Sequence, residues 1–250
     1  MNDFDANSKA TFYEKKVYNA HKKNFYKNLP DGFKQYFSDI RDFTMLSRER
    51  LFAFYNSINY VIEKNIQGDV VEVGCWAGGS ICMARANLNK KLSDPSSRVV
   101  YGFDTFEGHY RPNSGEVDVW GNNQAEQYDK IKQKGEKWAD ADIDKVKRLF
   151  VNVLGSMEGV ELVKGKIEKT SRNHKIDKIS VLRIDVDWYE PTLASLNQFY
   201  PLLSTNGVVI IDDYGHHSGS KKATDEFFAN KPQNWFYTDY SCVSTLKTEQ

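Results

Sequence analysis

Asp69-Val70-Val71-Glu72-Val73-Gly74-Cys75-Trp76-Ala77-Gly78-Gly79-Ser80, together with Arg98-Val99-Val100-Tyr101-Gly102-Phe103-Asp104, decides the fold of this chain. The first apolar run is short and ends in glycine, so it reads as a buried strand followed by a tight turn. Residues 81–91 read as a helix, and the second run reads as another strand, ending in an acid. Strand, helix, strand at this spacing is the βαβ unit of a parallel sheet.

The same alternation extends outward on both sides. Leu51, Phe52, Phe54, Tyr55, Ile58 and Val61 recur at helical spacing, which predicts a helix over 46–64 with Gly68 as a stop signal. Downstream, Val160–Lys164 and Ile179–Ile184 read as strands. Pro191 opens a predicted helix to about Leu203, because proline suits a first helical position. Asn206-Gly207 turns into the strand Val208–Ile211, and a helix follows over Lys221–Asn230. Trp235–Thr238 and Cys242–Leu246 suit a final antiparallel pair at the sheet edge. Two regions break the rhythm. Residues 1–36 are polar and rich in Lys and Tyr, and a docking arm, a dimer contact, a lid and a solvated extension all fit. Residues 108–155 are polar, with Gly115, Gly121 and Gly135 and a charged helical stretch from about 122 to 150. This segment reads as an insertion over a pocket or as a surface excursion. The expected organisation is therefore an extension or lid at 1–45 and one α/β domain at 46–250.

Composition narrows the function classes. Lys plus Arg equals Asp plus Glu at 34 each, so the basic excess of a nucleic-acid binder is absent. The three cysteines, Cys75, Cys82 and Cys242, show no metal-binding spacing, which argues for reduced thiols and a cytoplasmic setting. The first residues lack the apolar core of a signal peptide. No apolar run approaches the roughly 20 residues needed to cross a bilayer. The abundant aromatic residues suit a core with amphipathic pocket walls.

The candidate site lies at the strand ends. In an open parallel sheet, ligands bind beyond the carboxyl ends of the strands, where strand order reverses. Gly74 permits a tight turn there, and Gly78-Gly79 would let a ligand approach the backbone. The spacing is Gly-x-x-x-Gly-Gly rather than the dinucleotide pattern. Asp104 is placed to accept from ribose hydroxyls, with Thr105 beside it and Phe106 a candidate platform for adenine. Nothing at these loops is built for a pyrophosphate, so a nucleoside carrying an amino-acid group, S-adenosylmethionine, fits better than NAD.

The next strand ends carry acids: Asp185 and Asp187 after Ile184, Asp212 and Asp213 after Ile211. On neighbouring strands these carboxylates converge. Without a cation they repel, and hard oxygen ligands suit Mg²⁺, Mn²⁺ or Ca²⁺. A structural alternative pairs them with Arg183 and the lysines at 221 and 222. His216 and His217 suit a solvated loop better than a pocket mouth. Trp188, Tyr189, Tyr214, His109 and Trp120 are candidates for stacking on an acceptor.

Val-Glu-Val-Gly-Cys-Trp-Ala-Gly-Gly-Ser (71–80), Phe-Asp-Thr-Phe-Glu-Gly (103–108), Leu-Arg-Ile-Asp-Val-Asp-Trp-Tyr-Glu-Pro-Thr (182–192) and Val-Ile-Ile-Asp-Asp-Tyr (209–214) together resemble the macrocin-type O-methyltransferases. The resemblance runs from about Phe43 to Phe228. It implies a Rossmann-like class I methyltransferase with seven strands, S-adenosylmethionine as methyl donor and Mg²⁺ as the usual metal. It also implies a sugar hydroxyl of a secondary metabolite or glycan as acceptor. Carried over residue by residue, Asp185, Asp212 and Asp213 match metal ligands and Asp187 a general base. Glu72, Gly74, Trp76, Gly78, Gly79, Ser80, Asp104, Thr105 and Phe106 fall in the matched cofactor loops, and Thr44-Met45 matches a short stretch that closes over the cofactor. Val186 and Trp188 depart from the family's usual glycine and leucine at those positions. A catechol-type enzyme acting on a phenol and a non-catalytic nucleoside-binding protein are the competing readings. Self-association stays open.

Overall fold

The computed structural model describes residues 23–172 and 175–248. Most of the N-terminal arm, residues 1–22, therefore lies outside the described residues.

Seven strands form one sheet: β1 (Asp69–Val73), β2 (Val100–Asp104), β3 (Val160–Lys164), β4 (Ile179–Ile184), β5 (Leu203–Ile211), β6 (Phe236–Tyr237) and β7 (Val243–Leu246). Their order is β3-β2-β1-β4-β5-β7-β6. The first five strands in this order, β3 through β5, are parallel, and β7 runs antiparallel to both β5 and β6. Strand order reverses between β1 and β4, so the crevice for a ligand opens at their carboxyl ends.

Both faces of the sheet are covered, which is why β1 and β4 read as nearly continuous apolar runs. Val70, Val100, Val181 and Val208 face one core cluster. The helices supplying that cluster are α1 (Asp31–Ile40), α2 (Arg48–Glu63), α3 (Gly79–Lys91) and α5 (Ile143–Leu154), α4 being Gln124–Gln133. Val71, Phe103, Leu182 and Val209 face the opposite cluster. It is closed by α6 (Ile167–Thr170), α7 (Tyr189–Phe199) and α8 (Ser218–Phe228) through Ile167, Leu196, Phe199 and Phe228.

Local chemistry sets the element ends. Ser47 caps α2 by accepting from the Arg50 N–H at 3.2 Å, satisfying one of the free donors of the first turn. Asp142 caps α5 in the same way, and Gly155 ends it with φ 81°, a conformation open to glycine at little cost. Pro191 lies at the third position of α7 rather than the first; the N–H it lacks has no helical partner there in any case. Strand β5 begins at Leu203, earlier than expected, because Leu203 pairs with Ile179 before the turn at Asn206-Gly207.

Two regions differ from their sequence-based expectation. The charged stretch at 122–150 is two helices, separated around Gly135 (φ 75°). Of these, α5 is no cover over a pocket: Val146, Leu149 and Phe150 are at most 3% exposed and belong to the core. It is the crossover helix between β2 and β3, so the excursion ends near residue 142. Likewise α1 is anchored by Phe33 and Ile40, both at most 1% exposed, so this part of the 1–45 extension is core rather than lid. No helix among the described residues is long and apolar enough to cross a membrane.

Candidate active site

Register brings the acids together. Val73 lies beside Ile184, and Ile184 beside Ile211. The residues that follow, Gly74, Asp185 and Asp212, therefore emerge at one level of the sheet edge. The Asp185 N–H bonds the Val73 carbonyl at 2.8 Å and the Asp212 N–H bonds that of Ile184 at 2.9 Å. Gly74 has φ 85°, and a Cβ there would lie 1.7 Å from the Asp185 carbonyl oxygen. The glycine thus permits β1 and β4 to stay paired past their ends.

A cavity of about 560 Å³ opens over this edge. Gly74, Trp76, Asp104, Thr105 and Met45 line it. So do Asp185, Asp187, Asp212 and Asp213, with Asp185 directly beside Gly74. His109, Trp138, Trp188 and His217 add an aromatic wall, with Trp188 meeting each of the other three edge-on at 5.2–5.7 Å between ring centroids.

The donor-side residues divide by placement. Asp104 accepts from the backbone N–H of Trp76 at 2.8 Å and of Phe106 at 2.7 Å, so its carboxylate ties the β1 and β2 loops together. The Trp76 indole donates to the Asp140 carbonyl at 3.0 Å and joins the loop to the excursion. Met45 is 65% exposed at the cavity, while the Thr44 hydroxyl accepts from the Leu46 N–H at 3.2 Å. Thr44 and five others do not line the cavity. Phe106 is buried in the core. A Cβ on Gly78 would strike Val146, and one on Gly79 would strike the Phe43 carbonyl. These two glycines let α5 and the 41–43 turn approach α3. Ser80 donates to Glu72 at 2.6 Å, and both are buried.

Glu72 belongs to a buried charge network that spacing could not reveal. It sits beside Arg183 in the β1–β4 register and forms an ion pair with it. Arg183, 1% exposed, also pairs with Asp212 and with Asp185, the latter at 2.9 Å. Arg50, from α2, reaches Asp212 and Asp239 at 2.6 Å each. The pairing with Arg183 weighed at the sequence level is thus present for Asp185 and Asp212, whereas Lys221 pairs with Asp225.

Asp187 forms an ion pair with neither guanidinium group. Its backbone adopts φ 62°, a left-handed conformation that costs a non-glycine residue energy but that aspartate tolerates better than most. Burial, reinforced by the Asp185 and Asp212 charges, pushes its carboxyl up to about 7, with a hydrogen bond to Asp213 pulling the other way. Burial also raises Asp185 and Asp213 well above the ordinary carboxylate range. His109 Nε2 lies 3.2 Å and His217 Nε2 3.6 Å from Asp187 Oδ2. Burial lowers these imidazoles to about 4 and about 3, so both are neutral near pH 7. His217 is therefore a buried pocket residue, 8% exposed. That corrects the reading of 216–217 as a solvated loop: the Asp118–His217 bridge pulls this segment under the excursion.

Glu116, Arg50 and Asp239 carry no motif and were not anticipated. Glu116 accepts from the Tyr189 N–H at 3.2 Å at the start of α7. It passes so close to Gly219 that a Cβ there would lie 1.8 Å from its Oε2. Together with Asn113–Glu190 at 2.7 Å, it fastens the excursion to α7 and α8.

Comparison with known proteins adds the following. The family described as Macrocin-O-methyltransferase (TylF) matches residues 7–243. Demethyldecarbamoylnovobiocin O-methyltransferase of Streptomyces niveus is 33% identical over 186 residues, covering 74% of this chain and 68% of that protein. Mycinamicin III 3''-O-methyltransferase of Micromonospora griseorubida is 28% identical over 171 residues; the match covers 68% of this chain and 65% of that one, just under two thirds of its length. The solved structure of the O-methyltransferase NovP superposes with a TM-score of 0.72 at 28% identity, covering 83% of each chain.

Proposed function

Because the chain belongs to the macrocin O-methyltransferase family, we propose that it transfers a methyl group from S-adenosylmethionine to a hydroxyl of a sugar in a secondary metabolite or glycan. A divalent cation would assist, held by Asp185, Asp212 and Asp213. The observation that carries this reading is the single cavity joining the β1 and β2 loops to four carboxylates. Donor and acceptor can meet there without leaving the protein.

The donor fits the part of the cavity lined by Gly74, Trp76, Asp104 and Thr105, with the exposed Met45 beside it. The carboxylates fit a cation. Asp185, Asp212 and Asp213 offer oxygens within 4.8 Å of one another, and Asp213 Oδ2 is buried with no hydrogen-bond partner. A cation bound there supplies a Lewis acid that acidifies an alcohol. The side chains do the rest. The acceptor hydroxyl is held on the far side of the donor methyl, and alignment of this kind supplies much of a transfer rate. Asp187 takes the hydroxyl proton, with His109 and His217 fixing the orientation of its carboxylate. The Trp138–Trp188 wall excludes water and offers an apolar face to the acceptor ring.

The test is donor conversion with Mg²⁺ against a panel of sugar diols and catechols. We expect turnover on a sugar hydroxyl, loss on chelation and recovery with Mg²⁺. Asp187→Asn should bind donor and cation but lose turnover by about 10²–10⁴-fold, the usual contribution of a general base. Normal turnover in that variant would remove Asp187 as base. Turnover indifferent to chelation would remove the cation, and a preference for catechols would move the acceptor class to phenols.

A further inference from the structure

Asp187, Asp213 and His217 each offer a ligand atom, and these atoms lie within 4.8 Å of one another. The group shares only Asp213 with the Asp185–Asp212–Asp213 set. The two differ in how their charge is balanced. Asp185 and Asp212 already face Arg183, and Asp212 also faces Arg50. Among the described residues, no lysine or arginine forms an ion pair with Asp187 or Asp213; Asp187 faces the imidazoles of His109 and His217 and hydrogen-bonds with Asp213. One further atom reports the same deficit: Asp213 Oδ2 is buried without a hydrogen-bond partner, in a residue only 7% exposed. On the His217 ring it is Nε2 that faces Asp187, and Nδ1, its other nitrogen, is buried and unpartnered as well. Adjacent carboxylates that lack a cation repel, and buried polar atoms of this kind are rarely left unsatisfied.

We propose that Asp187, Asp213 and His217 form a second cation site, selective for a transition ion such as Zn²⁺ or Co²⁺ over Mg²⁺. The selectivity follows from the donor set. Mg²⁺ prefers all-oxygen, six-coordinate surroundings, whereas an imidazole beside two carboxylates suits borderline ions. Three protein ligands with one open position is the arrangement of zinc sites that bind a further ligand. His109, 3.2 Å from Asp187 Oδ2, is the outer partner that orients a ligating carboxylate. Trp188 packs edge-on against both imidazoles at 5.2 Å and shields the site. One consequence rests on Asp187 being the proton acceptor: an ion here occupies that carboxylate, so transition ions inhibit methyl transfer while Mg²⁺ supports it.

The site is tested without reference to turnover. Metal-stripped protein in saturating Mg²⁺ is titrated with Co²⁺ and followed by visible absorption. We expect one equivalent of cobalt with the intense spectrum of a low-coordinate, imidazole-bound ion, bleached by Zn²⁺. His217→Gln and Asp187→Asn should each weaken cobalt binding by at least about tenfold, the smaller end of what outer-sphere losses cost. His216→Gln should leave it unchanged, because that ring instead meets the Tyr240 hydroxyl at 2.9 Å. A pale six-coordinate spectrum in the unaltered protein would overturn the site whatever the variants do. So would equal affinity in a folded His217→Gln protein. A protein that bound cobalt in this way but methylated nothing would sink the proposed function and leave the second site standing.

Discussion

Replacing Arg183 with methionine removes the guanidinium that faces Glu72, Asp185 and Asp212. The substitution keeps an unbranched stem but leaves buried carboxylates uncompensated. Breaking a buried pair in this way costs about 3–5 kcal/mol. Denaturant unfolding of Arg183→Met should show a loss of that size, partly recovered by divalent cations; unchanged stability would mean that the network is not a structural element. Glu116 gives a second prediction at this scale. Burial raises its carboxyl above the ordinary value, opposed by the Tyr189 N–H. The folded state therefore holds the proton more tightly than the unfolded chain does. Stability from this group is complete below the ordinary glutamate range and is lost as pH rises through the raised value. Thermal unfolding of Glu116→Gln should lack that part of the decline, and an identical pH profile would show that Glu116 ionises freely. The carboxylates at 185, 187, 212 and 213 were legible in the sequence, because acids placed directly after apolar strands must emerge at the sheet edge. Arg50 and Glu116 were not. Arg50 meets Asp212 across 162 positions of chain, and no local pattern encodes such a contact.

At the scale of elements, helix α5 separates the cover from the core. Its charged surface, with Asp144, Lys145, Lys147 and Arg148, makes residues 108–155 read as one polar insertion. The stripe Val146, Leu149, Phe150 is buried nonetheless. Phe150→Ala should therefore cost about 3–5 kcal/mol of global stability, as a core phenylalanine does. A lid residue would cost little, so a loss under about 1 kcal/mol in equilibrium unfolding would return α5 to the excursion. The strands were read within a few residues, because buried parallel strands carry uninterrupted apolar runs. The glycine pair at 78–79 has a packing meaning that spacing alone does not reveal. Glycine signals close approach without naming the approaching group, and on the Cβ side that group is Val146 and the Phe43 carbonyl.

For the whole molecule, the sheet order places its reversal between β1 and β4. Both halves of the proposed reaction meet there, the donor over β1 and β2 and the acceptor over β4 and β5. The excursion, fastened to α7 and α8 by Glu116 and Asn113, closes the cavity from above. The sheet and strand-end acids were readable because they follow from periodicity and topology. The acceptor wall was not, since His109, Trp138, Trp188 and His217 come from four separate loops. The central claim is that this crevice binds a methyl donor beside the aspartates. Calorimetric titration of the protein with S-adenosylmethionine tests it most directly, repeated on Asp104→Ala and with and without Mg²⁺. Saturable binding of one donor per chain, weakened by Asp104→Ala, is the expected result. Absence of donor binding by the folded, unaltered protein in the presence of Mg²⁺ would contradict it.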